Sequence, residues 1–243
     1  MKRVIDVGVA LFGLVVFAPL LLITSFMIWL QDRGAPLYVP IRVGLNGQTY
    51  RMFKLRSMVL RADANQVDST ANDDPRITFL GKSIRLIKLD EVPQLWNVLI
   101  GDMSLVGPRP NIQRETDLYT AEERKLLSIR PGITDISSIV FSDLGTIIKG
   151  YPDPNLAYNQ LVRPWKSRLG ILYVEKGGVW LDFKLILLTL FSAVNRPAAL
   201  ACVAKIASEL GASEELVLIT SRTKPLHSAP PPGATEVVTS RGI

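Results

Sequence analysis

Two adjacent carboxylates in the middle of the chain, Asp90 and Glu91, lie among cationic residues. Arg85 and Lys88 precede the pair, and Arg109 follows it between two prolines that fix a turn. The chain has one histidine and one cysteine, so chemistry must rest on carboxylates, lysines, hydroxyls or a metal held by oxygen ligands. The surrounding cations would keep Asp90 ionised, as a carboxylate nucleophile requires.

A structural explanation of the same pair remains open. Asp is a favoured N-cap residue and Glu a favoured first-turn residue, because the first N–H groups of a helix are unpaired and its dipole is positive there. The same helix terminus also accepts a phosphate. Residue types alone therefore allow either capping or phosphate chemistry.

Composition narrows the possible partners and sites. The 243 residues suffice for one large domain, or one compact domain with appendages. Cys202 stands alone, which excludes an intramolecular disulfide or a cysteine-cluster zinc site, and the only histidine, His227, lies in a proline-rich tail. A net charge of +6 predicts an anionic partner: phosphates, acidic lipid headgroups or nucleic acid.

An apolar stretch without charge runs from Val7 to Leu30, and about 20 such residues cross a bilayer. Charged residues rather than a cleavage site follow it, so we expect a retained membrane anchor and not a signal peptide. Pro19 lies near its middle. The residues alone favour an ordinary kink in a spanning helix at this proline.

The segment from Pro36 to Met58 predicts a β-hairpin with a two-residue turn at Asn46-Gly47. In its second strand Lys54 and Arg56 share one face by the two-residue period. That face is either a solvated polar surface or a place for a phosphate. Residues 61–76 lack apolar periodicity and predict a loop.

Helical periodicity returns after this loop. A helix predicted over 77–89 carries a basic stripe (Lys82, Arg85, Lys88) opposite an apolar one (Leu80, Ile84, Ile87). A helix of about ten residues, predicted to begin near Asp90, carries the apolar stripe Val92, Leu95, Trp96, Leu99 and Ile100. Residues 114–128 predict a charged helix, 185–194 a core or interfacial helix, and the chain after Arg222 a disordered tail.

The run KLDEVPQLWNVLIGDMSLVGPRP, Lys88 to Pro110, closely resembles the signature of the bacterial monotopic phosphoglycosyl transferases. Members of this family initiate glycan assembly by transferring a sugar-1-phosphate to polyprenyl phosphate. The resemblance covers about residues 1–195 in the family's order and spacing. Further matching stretches are Lys2–Asp6, Arg42–Met58, Asp74–Thr78, Arg130–Thr134 and Tyr173–Leu190.

The resemblance implies a two-step reaction. Asp90 would attack the sugar-linked phosphate of a UDP-sugar, release UMP and pass the phosphosugar to polyprenyl (undecaprenyl) phosphate. Glu91 would help to hold Mg²⁺, an ion suited to oxygen ligands and substrate phosphates. Arg85 matches a position associated with the polyprenyl phosphate. Lys54 and Arg109 match positions associated with the nucleotide-sugar phosphates, and Arg56 joins these candidate substrate-binding residues.

The expected fold is α+β and membrane-associated. Residues 1–33 would form a re-entrant helix-break-helix, 34–195 a helical catalytic domain with a β-hairpin and interfacial helices, and 196–243 a C-terminal extension, disordered after about 222. The implied location is the cytoplasmic face of the bacterial inner membrane, in contact with its lipids. The chain has Ala18-Pro19 where the family usually has Ser-Pro, and Asp135 to Ile139 replace a family stretch associated with the sugar.

Two non-enzymatic functions are alternatives to this one. A non-enzymatic basic scaffold on anionic lipids explains the charge and the anchor, but not Lys54, Arg85, Asp90, Glu91 and Arg109 at family spacing. A membrane-tethered nucleic-acid binder lacks a basic strand interleaved with aromatic residues and any groove-reading motif, so no nucleic-acid partner is expected.

Overall fold

The computed structural model describes residues 1–62 and 73–240, and it has an α+β fold made mostly of helices. Residues 63–72, within the predicted loop, lie outside the described residues. The helices are α1 (Lys2–Asp32), α2 (Phe79–Leu86), α3 (Gln94–Ile100), α4 (Gln113–Asp117), α5 (Ile136–Val140), α6 (Leu144–Ile147), α7 (Pro154–Leu161), α8 (Arg163–Lys176), α9 (Val179–Ser192), α10 (Arg196–Glu209) and α11 (Glu214–Ser221). The strands are β1 (Leu37–Tyr38), β2 (Ile41–Val43), β3 (Thr49–Arg51), β4 (Lys54–Leu55), β5 (Ser104–Val106) and β6 (Gly132–Thr134).

The predicted hairpin is confirmed in β2 and β3, which pair antiparallel, and β1 and β4 extend it as a second antiparallel pair. Its turn differs from the prediction. Five residues, 44–48, separate the last paired residues, and Asn46 and Gly47 both have positive φ angles, 54° and 79°. A longer loop thus uses the left-handed conformation that Asn and Gly tolerate.

Strands β5 and β6 form a short parallel pair that links two distant parts of the chain. At its end the backbones of Gly107 and Gly132 nearly touch, and a Cβ atom on Gly132 would lie 2.1 Å from the Gly107 nitrogen. Only glycine permits this approach. The contact fixes the turn that carries Arg109 against the segment that carries Ile133.

Helix α1 is unbroken, and Pro19 lies inside it, so the predicted division into two helices is not present. One face of α1 packs on the rest of the protein along its length. Near its beginning Asp6 accepts hydrogen bonds from Ser104 and the Leu105 N–H, and near its end Ile28 is buried with Leu55. The opposite face exposes large apolar side chains. By length and composition α1 is able to cross a membrane.

Two of the predicted apolar stripes face the core only in part: Leu95 and Leu99 of α3 and Ile84 of α2 pack in the core clusters, but other members do not. In α3 the side chains of Gln94 and Asn97 are fully buried, whereas Trp96 and Ile100 are about half exposed. This helix begins at Gln94, later than the predicted start near Asp90. After α2, Ile87 is likewise exposed.

Helix α9 covers most of the predicted interfacial or core helix, 185–194, but begins earlier and ends at Ser192. Leu185 is fully buried, while Trp180, Phe183 and Leu190 are more than half exposed. Its exposed apolar face suits a position at a membrane surface. The predicted charged helix over 114–128 is divided into α4 and a 3₁₀ segment, Glu123–Ser128.

The C-terminal tail, predicted to be disordered after about 222, is described through residue 240 and lies against the helical domain. It crosses α7 and α8 by backbone carbonyl contacts: Trp165 donates to the His227 carbonyl at 3.1 Å, and Arg168 to the Pro230 carbonyl at 3.0 Å. Gln160 donates to the Val238 carbonyl at 2.7 Å. The donors are side chains of the preceding domain, which the tail's own composition does not reveal.

Candidate active site

Asp90 and Glu91 lie in a 3₁₀ turn, Leu89–Glu91, between α2 and α3. Lys88 enters this turn with a φ angle of 56°. The residue before α3 is Pro93, so Asp90 does not cap that helix. Asp90 is therefore not an N-cap residue, although both acids do lie in the first turn of a helical segment.

The Glu91 carboxylate binds two cations brought from distant strands and turns. Arg109 contacts both of its oxygens, with one of these N–O distances at 3.1 Å. Lys54, in β4, lies 3.3 Å from Oε1. A planar guanidinium suits such a paired contact, and it suits a phosphate equally well. Arg109 also donates to the Ile133 carbonyl, which holds its guanidinium in place.

The two acids titrate in opposite directions. Burial would raise the pKa of Glu91, but the stronger combined effect of Arg109 and Lys54 lowers it well below its usual range. Burial, and then the charge of Glu91, raise the pKa of Asp90 despite nearby Lys54, Arg85 and Arg109. At Asp90 burial therefore outweighs the cations, although Lys54, Arg85 and Arg109 still favour its charged form.

The remaining predicted cations fall into two groups. Arg85 lies in the last turn of α2, close enough to affect the pKa of Asp90. Arg56 does not join the Lys54 cluster. All three of its guanidinium nitrogens are engaged, one by the Ala35 carbonyl and two by the carboxylate of Asp32. Arg56 therefore ties the end of α1 to the domain, and its prediction as a substrate-binding residue is not supported.

A small polar cavity lies beside Arg109, and sequence reasoning missed most of its residues. Its volume of about 20 Å³ is enough for a water molecule. The departure from the family at 135–139 was the one sequence signal for this region. Lining residues with polar groups include Asn111, Asp135, Ser137, Tyr158 and Lys166.

The oxygen ligands available for a metal ion are few. Within residues 1–62 and 73–240 no group of three or more His, Cys, Asp or Glu side chains is arranged to hold one. Asp90 and Glu91 still offer two adjacent carboxylates. Mg²⁺ is usually bound by one or two carboxylates together with substrate phosphates and waters, so the donor set fits this ion.

Comparison with known proteins identifies the class of this fold and site. The family model described as bacterial sugar transferase matches residues 1–196. The chain therefore belongs to the bacterial sugar transferase family, as the resemblance of the Lys88–Pro110 run predicts.

Individual relatives carry related names. The chain is 36% identical over 199 residues to the UDP-glucose:undecaprenyl-phosphate glucose-1-phosphate transferase of Caulobacter vibrioides, covering 80% of this chain and 70% of that protein. It is 34% identical over 200 residues to the undecaprenyl-phosphate glucose phosphotransferase of Komagataeibacter xylinus, covering 78% of this chain and 35% of that protein. It is 34% identical over 208 residues to the galactosyl transferase CpsE of Streptococcus agalactiae, covering 78% and 41%. The chain thus spans less than half the length of the last two relatives.

Proposed function

We propose that this protein transfers a sugar-1-phosphate from a UDP-sugar to polyprenyl phosphate through a covalent phosphosugar on Asp90. The observation that supports this most directly is a buried, weakly solvated carboxylate beside Glu91, Arg109 and Lys54. Phosphoryl transfer depends mainly on positioning and charge neutralisation, which these residues are suited to provide.

The first step forms one P–O bond and breaks another. An Asp90 carboxylate oxygen attacks the sugar-linked phosphorus, the bond to the bridging oxygen breaks, and UMP leaves with that electron pair. Arg109 and Lys54 face the charge that develops on the phosphates. In the second step a polyprenyl phosphate oxygen attacks the same phosphorus, and the Asp90 carboxylate is released unchanged.

Mg²⁺ would neutralise phosphate charge when bound, and we propose Glu91 as a ligand with Asp90 at its side. Both Glu91 oxygens contact Arg109 in this structure, and one also contacts Lys54. The two cations are therefore placed to exchange the carboxylate for the phosphates of an incoming donor.

Release of UMP from a panel of UDP-sugars tests the proposed function. We expect release with at least one sugar, full turnover only with polyprenyl phosphate, and loss of release in EDTA that Mg²⁺ restores. UMP can be measured by a coupled assay on protein in nanodiscs. Absence of release across the panel would favour a non-enzymatic scaffold, and undiminished release in chelator would remove the metal from the mechanism.

Arg85 provides a way to separate the two half-reactions. If it binds the acceptor phosphate, Arg85→Ala should slow discharge of the phosphosugar more than its formation, so the adduct on Asp90 should accumulate. Intact-protein mass spectrometry measures the adduct with time. Lys82→Ala, an exposed residue on the same helix, is the matched control. Equal slowing of both steps would indicate that Arg85 supports both half-reactions and does not serve the acceptor phosphate alone.

We propose further that both ends of α1 lie on one side of the membrane, the cytoplasmic side, where UDP-sugars are made. Polar contacts at both ends support this. Lys2 contacts Asp182, and Asp32 at the other end contacts Arg56. A helix that crossed the bilayer would carry one of these ends away from the domain it binds. The exposed apolar face of α1 would lie in lipid.

Thiol labelling tests this topology. In a Cys202→Ala background, a cysteine inserted after Met1 and, separately, Gln31→Cys report the two ends of α1. We expect both to be protected from a membrane-impermeant thiol reagent in intact spheroplasts and both to be labelled after permeabilisation, because both ends lie on the cytoplasmic side. Labelling of the N-terminal cysteine alone in intact spheroplasts would show that α1 spans the membrane.

A further inference from the structure

Gln94, the first residue of α3, is fully buried, and neither its amide oxygen nor its amide nitrogen has a hydrogen-bond partner. Asn97, one turn later, is equally buried but fully engaged. It accepts from the Phe53 N–H at 2.9 Å and donates to the Arg51 carbonyl at 2.6 Å. The two amides share a helix face, so burial alone does not explain why Gln94 lacks partners.

The missing partner lies on the N-terminal side of Gln94. The turns Leu89–Val92, Val92–Leu95 and Pro93–Trp96 are all closed by backbone hydrogen bonds, so the chain from Leu89 into α3 is helical in character. Side chains in such a segment lean toward the preceding turn and meet residues three and four positions earlier. For Gln94 these residues are Glu91 and Asp90.

Asp90 is the complementary group. Its side chain is 9% exposed, and across the described ranges its carboxylate forms no hydrogen bond, whereas Glu91 is held by Arg109 and Lys54. A fully buried amide without a partner thus lies four residues after a carboxylate that forms no hydrogen bond within the described residues. Such unsatisfied groups in a folded protein call for a ligand-bound or reacting state that satisfies them.

We propose that Gln94 is a positioning residue for the nucleophile: its amide N–H donates to the Asp90 carboxylate oxygen that does not attack, once a donor phosphate occupies the site. This inference rests on the proposed function of Asp90. The hydrogen bond turns the other oxygen toward phosphorus, and orientation of this kind contributes strongly to rate because small misplacements are costly.

The variant Gln94→Met keeps the length and volume of the side chain and removes the amide. A positioning role predicts that kcat for adduct formation falls about tenfold or more, while the KM for the donor changes less than about twofold. It also predicts that the melting temperature stays the same or rises, because an unsatisfied buried amide is replaced by an apolar group. Single-turnover mass spectrometry and thermal unfolding measure these quantities.

Asn97→Leu is the matched control, since it removes an amide that has partners and should lower the melting temperature. An unchanged kcat in Gln94→Met overturns the proposal, as does a loss confined to KM. A fall in melting temperature like that of Asn97→Leu, with activity following it, also overturns it in favour of a structural role. If Gln94→Met does not fold, Gln94→Leu tests the same donor, because it also removes the N–H and should fail in the same way.

Different results would contradict the positioning role of Gln94 and the proposed function of Asp90. If Asp90→Asn retains adduct formation, the nucleophile is wrong and the role of Gln94 falls with it. If Asp90→Asn loses the adduct while Gln94→Met keeps its full rate, only the positioning role is wrong.

Discussion

Asp90→Asn should abolish covalent phosphosugar formation, with a loss on the order of 10⁴-fold or more in UMP release, because an amide cannot replace the attacking carboxylate. The fold should persist. Asp90 caps no helix and forms no hydrogen bond within the described parts of the chain, and burial together with Glu91 disfavours its charge. We therefore expect a melting temperature equal to or above that of the native protein. Intact-mass analysis after incubation with the donor measures the adduct.

The control for this experiment is Asp117→Asn, which changes an exposed carboxylate at the end of α4. Its activity and adduct yield should match those of the native protein. Near-native turnover in Asp90→Asn would eliminate Asp90 as the nucleophile. A phosphosugar found on another residue would have the same consequence.

Breaking the Glu91–Arg109 pair should lower both stability and activity. The two side chains are each 22% exposed and contact at both carboxylate oxygens. Arg109→Met leaves Glu91 with Lys54 alone, and Glu91→Gln leaves two neighbouring cations without their anion. Removing one partner of a buried pair costs about 3 kcal/mol in such settings. Thermal or chemical unfolding measures this loss.

The double variant Glu91→Gln/Arg109→Met separates structure from catalysis. Because it leaves one uncompensated cation, Lys54, in place of two, its stability should exceed that of Glu91→Gln alone, while UMP release should stay lost in all three variants. Lys125→Met, at an exposed ion pair with Glu122, should change the free energy of unfolding by less than about 1 kcal/mol. Additive stability losses in the double variant would mean that the pair does not act as a unit.

The candidate site was largely predictable because most of it is local in sequence. Asp90, Glu91 and Arg109 lie within one 23-residue run, and a proline turn and a short strand bring them together. Lys54 was found by resemblance. The partner of Arg56 was not predictable because strand alternation ignores the ends of strands: β4 stops at Leu55, and Asp32 lies in another element.

The buried face of α3 was not predictable from apolar periodicity. That method assumes that exposed residues face water, so it assigns Trp96 and Ile100 to the core and the amides to the surface. The structure has the reverse arrangement. Where the outer surface faces lipid, apolar side chains lie outside and amides can lie inside, and periodicity alone does not distinguish the two faces.

The contacts of the C-terminal tail also bear on how its prolines affect docking of the tail. Pro225, Pro230, Pro231 and Pro232 have fixed φ angles that leave the detached chain few conformations to lose on docking, an effect of about 0.4–1 kcal/mol for each compatible proline. Burial of Ala229, Pro231 and Pro232 and the backbone carbonyl contacts together hold the segment across α8. Replacing these prolines with glycine would leave every carbonyl acceptor in place and still favour release of the tail, since the change acts on the entropy of the free segment.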